Sequence, residues 1–225
     1  IGSRESGRGE TTRSFHLFNR IQVRYQTALR PDADEFISGA GRVRPSDPER
    51  AKREGSVAGN RACLDAVSAD TFRARQPYPW TNLENSLTPE GYEALRQTMP
   101  DTSQADRQVG VKRGYGQAPH DRYLLHYRPG VSISQPWQEF LAELNGPVYQ
   151  DFLRRVLGPH NFIPTFEWYY AWHGCAVSPH CDAARKLATH IFYFNTEQDW
   201  KASWGGQILI LDSEHRFATH SAPQL

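Results

Sequence analysis

A histidine and an aspartate stand two residues apart at His180 and Asp182, with Cys181 between them. In an extended segment both side chains point to the same face, because a strand has a period of two. Pro179 favours extended geometry at Ser178, just before the pair. Such a pair supplies two ligands of the 2-His-1-carboxylate triad of mononuclear non-haem Fe(II) sites. The tripeptide by itself fits a surface histidine and aspartate at a turn equally well.

A second pattern follows in the alternation between Thr189 and Asn195. As a strand, this stretch carries a hydroxyl, an aliphatic side chain and a phenol on one face, at Thr189, Ile191 and Tyr193. These two hydroxyl groups can donate hydrogen bonds to a small acidic ligand while Ile191 packs on its methylene groups. The opposite face carries His190, Phe192 and Phe194. We expect that face to meet the core, which makes His190 a core histidine and leaves Tyr193 open to a second reading as a core aromatic residue.

The third pattern is the run Trp204-Gly205-Gly206 before an apolar stretch. Paired glycines in this position suit a tight turn or a close approach of two backbones. Alone they are uninformative, because ordinary hairpin loops also use Gly-Gly.

Taken together, these motifs resemble the prolyl-4-hydroxylase-like branch of the Fe(II)/2-oxoglutarate-dependent dioxygenases. The upstream stretches Pro77-Tyr78-Pro79-Trp80 and Asp121-Arg122-Tyr123 are more similar to its uncharacterised bacterial members. The resemblance covers residues 160–212 specifically and residues 76–225 loosely. It rests on His180-Cys181-Asp182, Lys186, Thr189, Ile191-Phe192-Tyr193-Phe194-Asn195, Asp199-Trp200 and Trp204-Gly205-Gly206.

The resemblance implies an α+β fold whose core is a double-stranded β-helix, a cupin-like jelly roll, with helices before it. It implies His180 and Asp182 as iron ligands and Tyr193 as the partner of the distal carboxylate of 2-oxoglutarate. Tyr170, ten residues before His180, matches a second tyrosine of that pocket, and Thr189 matches a small polar lining residue. The implied cofactors are Fe(II), 2-oxoglutarate as cosubstrate and O2, with ascorbate as a further expected cofactor. The implied reaction hydroxylates a small molecule or a protein side chain and releases succinate and CO2.

The family pattern also has a third ligand histidine and, shortly after it, an arginine or lysine that clamps the 2-oxoglutarate carboxylate. Besides His190, which is expected in the core, two histidines follow Asp182, at His215 and His220, in a polar stretch that reads as the loop after the Gly-Gly strand. The third ligand and the clamp are therefore expected beyond Leu225, with the last strands of the barrel. A chain limited to these residues is expected to bind iron weakly and to turn over poorly.

Two other classes of function remain open at this level. A non-catalytic jelly-roll binding module would keep the fold without the iron chemistry. A metal-dependent hydrolase or isomerase on a cupin barrel is also consistent, because a fold does not determine a reaction. Formation of succinate from 2-oxoglutarate, abolished by Asp182→Ala, would distinguish the oxygenase from both.

Composition excludes some partners. The formal net charge of +1 offers no bulk attraction to nucleic acid or to a membrane surface. No run of apolar residues is long enough for a transmembrane helix, and the first residues lack the apolar region of a signal peptide. The three cysteines, Cys63, Cys175 and Cys181, form neither an even disulfide set nor a CxxC motif. A cytoplasmic protein with reduced thiols is expected.

The chain divides by composition into three parts. Residues 1–58 contain a stretch rich in Gly, Pro and charge and are expected to be a flexible or extension segment, in which residues 15–29 fit a helix or a strand. Residues 59–160 are expected to be the helical and mixed first part of the oxygenase domain. They include a helix led by Thr88 and Pro89, a loop over residues 101–120, a strand over residues 123–127 and two helices within residues 136–157. Residues 161–225 are expected to form the first strands of the jelly roll.

Overall fold

The computed structural model describes residues 18–27, 58–76, 78–112, 120–172, 175–177, 186–198, 200–201, 203, 208–211 and 218–222; in 18–27, 209–211 and 218–222 it describes the backbone alone. Within these ranges the protein is a mixed α and β structure with a small antiparallel sheet. Its helices are α1 (Arg61–Ala66), α2 (Ala69–Ala74), α3 (Pro89–Gln97), α4 (Gln135–Asn145) and α5 (Pro147–Leu157). Its strands are β1 (Phe18–Thr27), β2 (Asp106–Gln108), β3 (Arg122–His126), β4 (Phe162–Ala171), β5 (Lys186–Tyr193), β6 (Ile208–Leu211) and β7 (Ala218–Ala222).

Five of the strands form one sheet in the order β2-β3-β4-β1-β5, and each neighbouring pair is antiparallel. Strand β1 lies between β4 and β5 and pairs along the whole length of β4, from Phe18 opposite Ala171 to Thr27 opposite Phe162. Part of the expected extension segment is thus a strand of the sheet. Strands β6 and β7 pair with each other in a separate two-stranded sheet.

The helix α3 begins as its sequence predicts. The Thr88 hydroxyl accepts a hydrogen bond from the backbone N–H of Gly91 at 3.0 Å, and Pro89 occupies the first turn, where its missing N–H costs nothing. Gly91 also lies against Ala58, because a Cβ atom built on Gly91 would be 2.5 Å from the Ala58 Cα atom. This close contact packs the backbone of Ala58 directly against α3.

Helices α4 and α5 confirm the predicted break at Gly146, which ends α4 and precedes Pro147 of α5. Each helix has an amphipathic period, and its apolar stripe is buried. The buried residues are Trp137, Phe140, Leu141 and Leu144 in α4 and Tyr149, Phe152, Leu153 and Val156 in α5. Gly158 ends α5 with a positive φ of 99°, a conformation that glycine adopts without strain.

The core lies between α4, α5 and one face of the five-stranded sheet. The fully buried Trp137 makes edge-to-face contacts with Trp168 of β4 at 5.4 Å and with Phe194 at 5.2 Å between ring centroids. Phe140 makes a similar contact with Phe192 of β5 at 5.2 Å. Aromatic side chains of this size supply much of the apolar area that folding removes from water.

Two expected loops contain strands. Residues 101–120 include the 3-10 turn Thr102–Gln104 and the strand β2, whose residue Asp106 pairs with Leu124 of β3. The polar stretch around His220 contains β7, in which His220 pairs with Ile210 of β6. Both expectations were wrong for the same reason: these short polar strands form by pairing with another strand, which local composition does not reveal. Gly205 and Gly206 lie outside the described residues.

Candidate functional site

The predicted iron ligands His180 and Asp182 lie outside the described residues. The nearest described residues on either side are Val177 and Lys186. Val177 forms a β-bridge with His120, two residues before β3 begins. Lys186 begins β5, an edge strand of the sheet, and pairs with Gln26 of β1. The described residues that flank His180 and Asp182 are therefore placed beside β3 and in β5.

The sheet has two chemically different faces. The helix face, defined here by Phe166, Trp168, Tyr170, His190 and Phe192, meets α4 and α5. The polar face, defined by His126, Glu167, Tyr169, Thr189, Ile191 and Tyr193, lies on the opposite side because successive strand residues alternate. The predicted alternation of β5 is present, since the face with Phe192 packs on the helices.

Thr189 and Tyr193, two of the predicted cosubstrate residues, share the polar face with Ile191 between them. All three side chains are partly buried. The face therefore presents two hydroxyl groups on either side of an aliphatic surface, in the arrangement that the sequence predicted.

Tyr170, the third predicted cosubstrate residue, lies on the helix face. Its side chain is 1% exposed, and its hydroxyl donates a hydrogen bond to the Pro100 carbonyl at 2.6 Å. Burial, reinforced by the nearby Asp101 carboxylate, raises the pKa of Tyr170 above its usual value. The structure thus does not bring Tyr170 and Tyr193 together, because their side chains lie on opposite faces of the sheet.

The neighbouring Tyr169 lies on the polar face, in the same row as Tyr193. Both residues pair with Arg20 of β1, one from each side. Two strand spacings place their Cα atoms about 10 Å apart. Tyr169 is 2% exposed, and its hydroxyl donates to Oε2 of Glu167 at 2.7 Å. Tyr169 is therefore the tyrosine of β4 that shares a surface with Thr189 and Tyr193.

Glu167 is a buried carboxylate on the polar face, with a side chain that is 7% exposed. Its Oε1 atom lies 3.1 Å from Nδ1 of His126, the residue directly opposite on β3. A buried carboxylate requires such partners, because desolvation of an uncompensated charge costs several kcal/mol. His126 is 46% exposed, so this pair links a buried acid to the surface of the protein.

Arg122, the first residue of β3, contacts Tyr169 on the polar face. Its guanidinium lies over the Tyr169 ring at 5.0 Å from the ring centroid, and its Nε–H donates to the Gln108 side chain at 3.1 Å. His120, which is buried, has its Nδ1 atom 3.5 Å from the same guanidinium. His120 also forms a β-bridge with Val177. The contacts of Arg122 therefore extend through His120 to Val177, three residues before His180.

His190 has the core position expected from the alternation. It lies on the helix face, where its Nδ1 atom is hydrogen-bonded to the hydroxyl of Tyr149 in α5, and its ring stacks on the Tyr149 ring. Burial lowers the pKa of His190 to about 4, so the imidazole is neutral at pH 7. His190 thus satisfies a polar group inside the core.

The sequence interpretation assigned no role to Glu167, Tyr169, Arg122 or His126. One signal was present: Glu167 is a single carboxylate within the aromatic run from Phe166 to Trp172. With a period of two, it shares a face with Tyr169 and not with Tyr170. Its histidine partner comes from a distant strand, and the register of β3 on β4 has no sequence signature.

No set of three or more His, Cys, Asp and Glu side chains in the described ranges is grouped closely enough to hold a metal ion. The helices in these ranges are all too short or too polar to cross a membrane. Comparison with known proteins returned no match to a protein family, to a curated protein or to a solved structure.

Proposed function

We propose that the chain belongs to an Fe(II)- and 2-oxoglutarate-dependent oxygenase with a double-stranded β-helix core. The observation that carries the proposal is the position of Tyr193 on the polar face, opposite the helix-covered face, with Thr189 and Ile191 beside it. A residue that contacts a cosubstrate must face away from the packed core, and β5 has this orientation. The motif His180-Cys181-Asp182 comes shortly before the same strand.

The described donors fit 2-oxoglutarate chemically. A carboxylate needs hydrogen-bond donors, and the phenol of Tyr193 and the hydroxyl of Thr189 are donors on one surface. The methylene groups need an apolar wall, which Ile191 between them supplies. His180 and Asp182 are ligand types that Fe(II) accepts in oxygenases. Bound iron and 2-oxoglutarate would supply the oxidation of a substrate C–H bond.

In this proposal the residues of the chain bind and orient the cosubstrate. Tyr193 donates a hydrogen bond to the distal carboxylate of 2-oxoglutarate, and Ile191 packs on its methylene groups. Tyr169 takes the place on the polar face that the sequence interpretation assigned to Tyr170, and the Glu167 carboxylate fixes the direction of its hydroxyl. The helices on the other face exclude water from that side of the sheet.

The test combines binding and turnover in the purified protein. Fe(II) is titrated under nitrogen with and without 2-oxoglutarate, and succinate is then measured in air. We expect weak iron binding that 2-oxoglutarate tightens and slow formation of succinate, with both effects lost in Asp182→Ala and His180→Ala. Equal iron binding and equal succinate in the wild type and in both variants would exclude the proposal and favour a binding module.

A further inference from the structure

Strand β1 lies between β4 and β5, so its residues complete the middle of the polar face. Residues that stand opposite each other on antiparallel strands lie on the same face of the sheet. Three polar-face rows therefore cross β1, and each takes one residue from β4, one from β1 and one from β5. In that order they are Tyr169, Arg20 and Tyr193; Glu167, Gln22 and Ile191; and Thr165, Arg24 and Thr189. Each arginine of β1 thus stands between two hydroxyl-bearing residues.

The composition of β1 agrees with this register. Ile21 and Val23, which alternate with the arginines, stand opposite Trp168 and Phe166 of the helix face. The apolar residues of β1 are therefore at core positions, and its charged residues are at polar-face positions. A shift of one residue would exchange the two sets and place both arginines against the helices, where an uncompensated charge is costly.

The three rows carry more positive than negative charge. Arginine is charged at every physiological pH, so Arg20 and Arg24 contribute two positive charges. Glu167 is the one acidic residue in these described rows and contributes one negative charge. Its side chain and that of Tyr169 are buried, and that of Thr189 is partly buried, so bulk water does little to screen a charge here. A surplus cation in such a place is stabilised by a further anion.

We propose that β1 makes the polar face a binding site for a small carboxylate ligand, with Arg20 and Arg24 as its cationic residues. Arginine pairs with a carboxylate through two parallel hydrogen bonds, among the strongest that a neutral-pH anion receives. Tyr193 and Thr189 are residue types that donate further hydrogen bonds to it. The carboxylate belongs either to 2-oxoglutarate or to an acidic substrate, and only the first of these sources rests on the proposed function.

The inference gives a binding role to a segment that the sequence placed in an extension. Strand β1 is the common neighbour of β4 and β5, and it brings to their polar faces two cationic residues that neither strand carries at these rows. The ligand contacts of the site would then come from three strands that are far apart in the chain. Binding of a carboxylate needs neither iron nor oxygen, so the metal-free protein is the material for the test.

The first experiment needs no substitution. Phenylglyoxal modifies the guanidinium groups of arginine, and peptide mass spectrometry follows the reaction at each residue. The reaction is run on the metal-free protein with and without 2-oxoglutarate, and the exposed Arg128 serves as the internal control. We expect 2-oxoglutarate to slow modification of Arg20 and Arg24 several-fold and to leave Arg128 unchanged.

Acetate and inorganic phosphate at the same ionic strength distinguish the sources of the anion. Protection by 2-oxoglutarate alone would assign the site to the cosubstrate, whereas equal protection by acetate would show a site for carboxylates in general, open to an acidic substrate. Equal protection by inorganic phosphate would show attraction of any anion and would overturn the proposal. Absence of protection would also overturn it, as would arginines that fail to react in either state, since a binding site must admit its ligand.

The second experiment measures the affinity of the metal-free protein for 2-oxoglutarate by isothermal titration. We expect Arg20→Gln and Arg24→Gln each to weaken binding by about ten-fold or more, the effect of losing a hydrogen bond to a charged group. Arg128→Gln should bind as the wild type does. Arg20→Lys keeps the charge and should retain part of the affinity, which separates a loss of binding from a failure to fold.

Unchanged affinity in both glutamine variants would contradict the inference and leave the arginines a structural role. Because neither experiment contains iron, such a result would leave the proposed oxygenase function standing. Conversely, a protein that bound 2-oxoglutarate through Arg20 and Arg24 but formed no succinate would support the carboxylate site and contradict the proposed function.

Discussion

Tyr169 and Tyr170 are consecutive in the chain and point to opposite faces of β4. The hydroxyl of Tyr170 donates to Pro100 inside the helix-covered core, whereas that of Tyr169 donates to Glu167 on the polar face. The two phenols therefore have different surroundings, one in the helix-covered core and one beside a buried carboxylate on the opposite face. The two faces of the sheet can be tested separately by the same substitution, at Tyr170 on the helix face and at Tyr193 on the polar face.

Tyr170→Phe is expected to destabilise the protein by about 1–2 kcal/mol, because it leaves the buried Pro100 carbonyl without its donor. It should leave the affinity for 2-oxoglutarate unchanged. Chemical denaturation measures the first effect and isothermal titration the second. If Tyr170→Phe weakened 2-oxoglutarate binding at unchanged stability, the assignment of the two faces would be wrong.

Tyr193→Phe is expected to have the converse effect. Loss of a hydrogen bond to a charged carboxylate, worth about 1.5–3 kcal/mol, should weaken 2-oxoglutarate binding by ten-fold or more. Titration of 2-oxoglutarate into the metal-loaded protein measures the change, and Tyr170→Phe is the matched control. Unaltered affinity in Tyr193→Phe would remove this residue from the proposed cosubstrate site.

Stability should decline in mild acid because of His190. Its pKa is about 4 in the folded protein and 6.5 in the unfolded chain, so the unfolded state takes up the proton first as the pH falls. The stability contributed by the neutral imidazole is therefore present above pH 6.5 and is lost progressively down to about pH 4, with a total on the order of 2–3 kcal/mol.

The measurement for His190 is the free energy of unfolding between pH 7 and pH 4. His190→Gln, which can still form a hydrogen bond with the Tyr149 hydroxyl, should flatten the dependence, whereas His160→Gln at an exposed position should leave it intact. An equally steep decline in His190→Gln would assign the acid sensitivity to other groups.

Glu143 of α4 anchors the chain before α1. Its two carboxylate oxygens accept the backbone N–H groups of Ala58 at 3.2 Å and Gly59 at 3.0 Å. Glu143→Gln replaces one acceptor by a donor and should destabilise the protein by about 1–3 kcal/mol, since hydrogen bonds to charged groups are among the stronger ones. Thermal unfolding measures the loss. Glu139→Gln on the same helix should change stability by less than about 0.5 kcal/mol, as surface substitutions generally do.

Gly91→Ala tests the contact between α3 and residue 58. Although alanine favours helices, its Cβ atom would come within 2.5 Å of the Ala58 backbone, so the chain must shift. We expect a loss of about 1–3 kcal/mol, typical of overpacking, in place of the gain that an exposed helix position would show. Increased stability in chemical denaturation would show that the segment at Ala58 moves without cost.

The local structure of this protein was determined by its sequence to a large extent. The Thr88–Pro89 start of α3, the break at Gly146 and the alternation of β5 each follow from short-range rules: side-chain capping, the missing proline N–H and the period of a strand. The core assignment of His190 follows from the same alternation. These features depend on neighbours within a few residues, so the chain encodes them directly.

Only the tertiary structure decided which of these elements meet. The pairing of β1 with β4 and β5, the strand at β2, and the choice of Tyr169 over Tyr170 for the polar face all depend on strand register. The contact of His126 with Glu167 joins residues that are 41 positions apart across two strands. Register is set when the whole helix face of the sheet is buried against α4 and α5. This effect is cooperative, so it cannot be predicted from a short stretch of sequence.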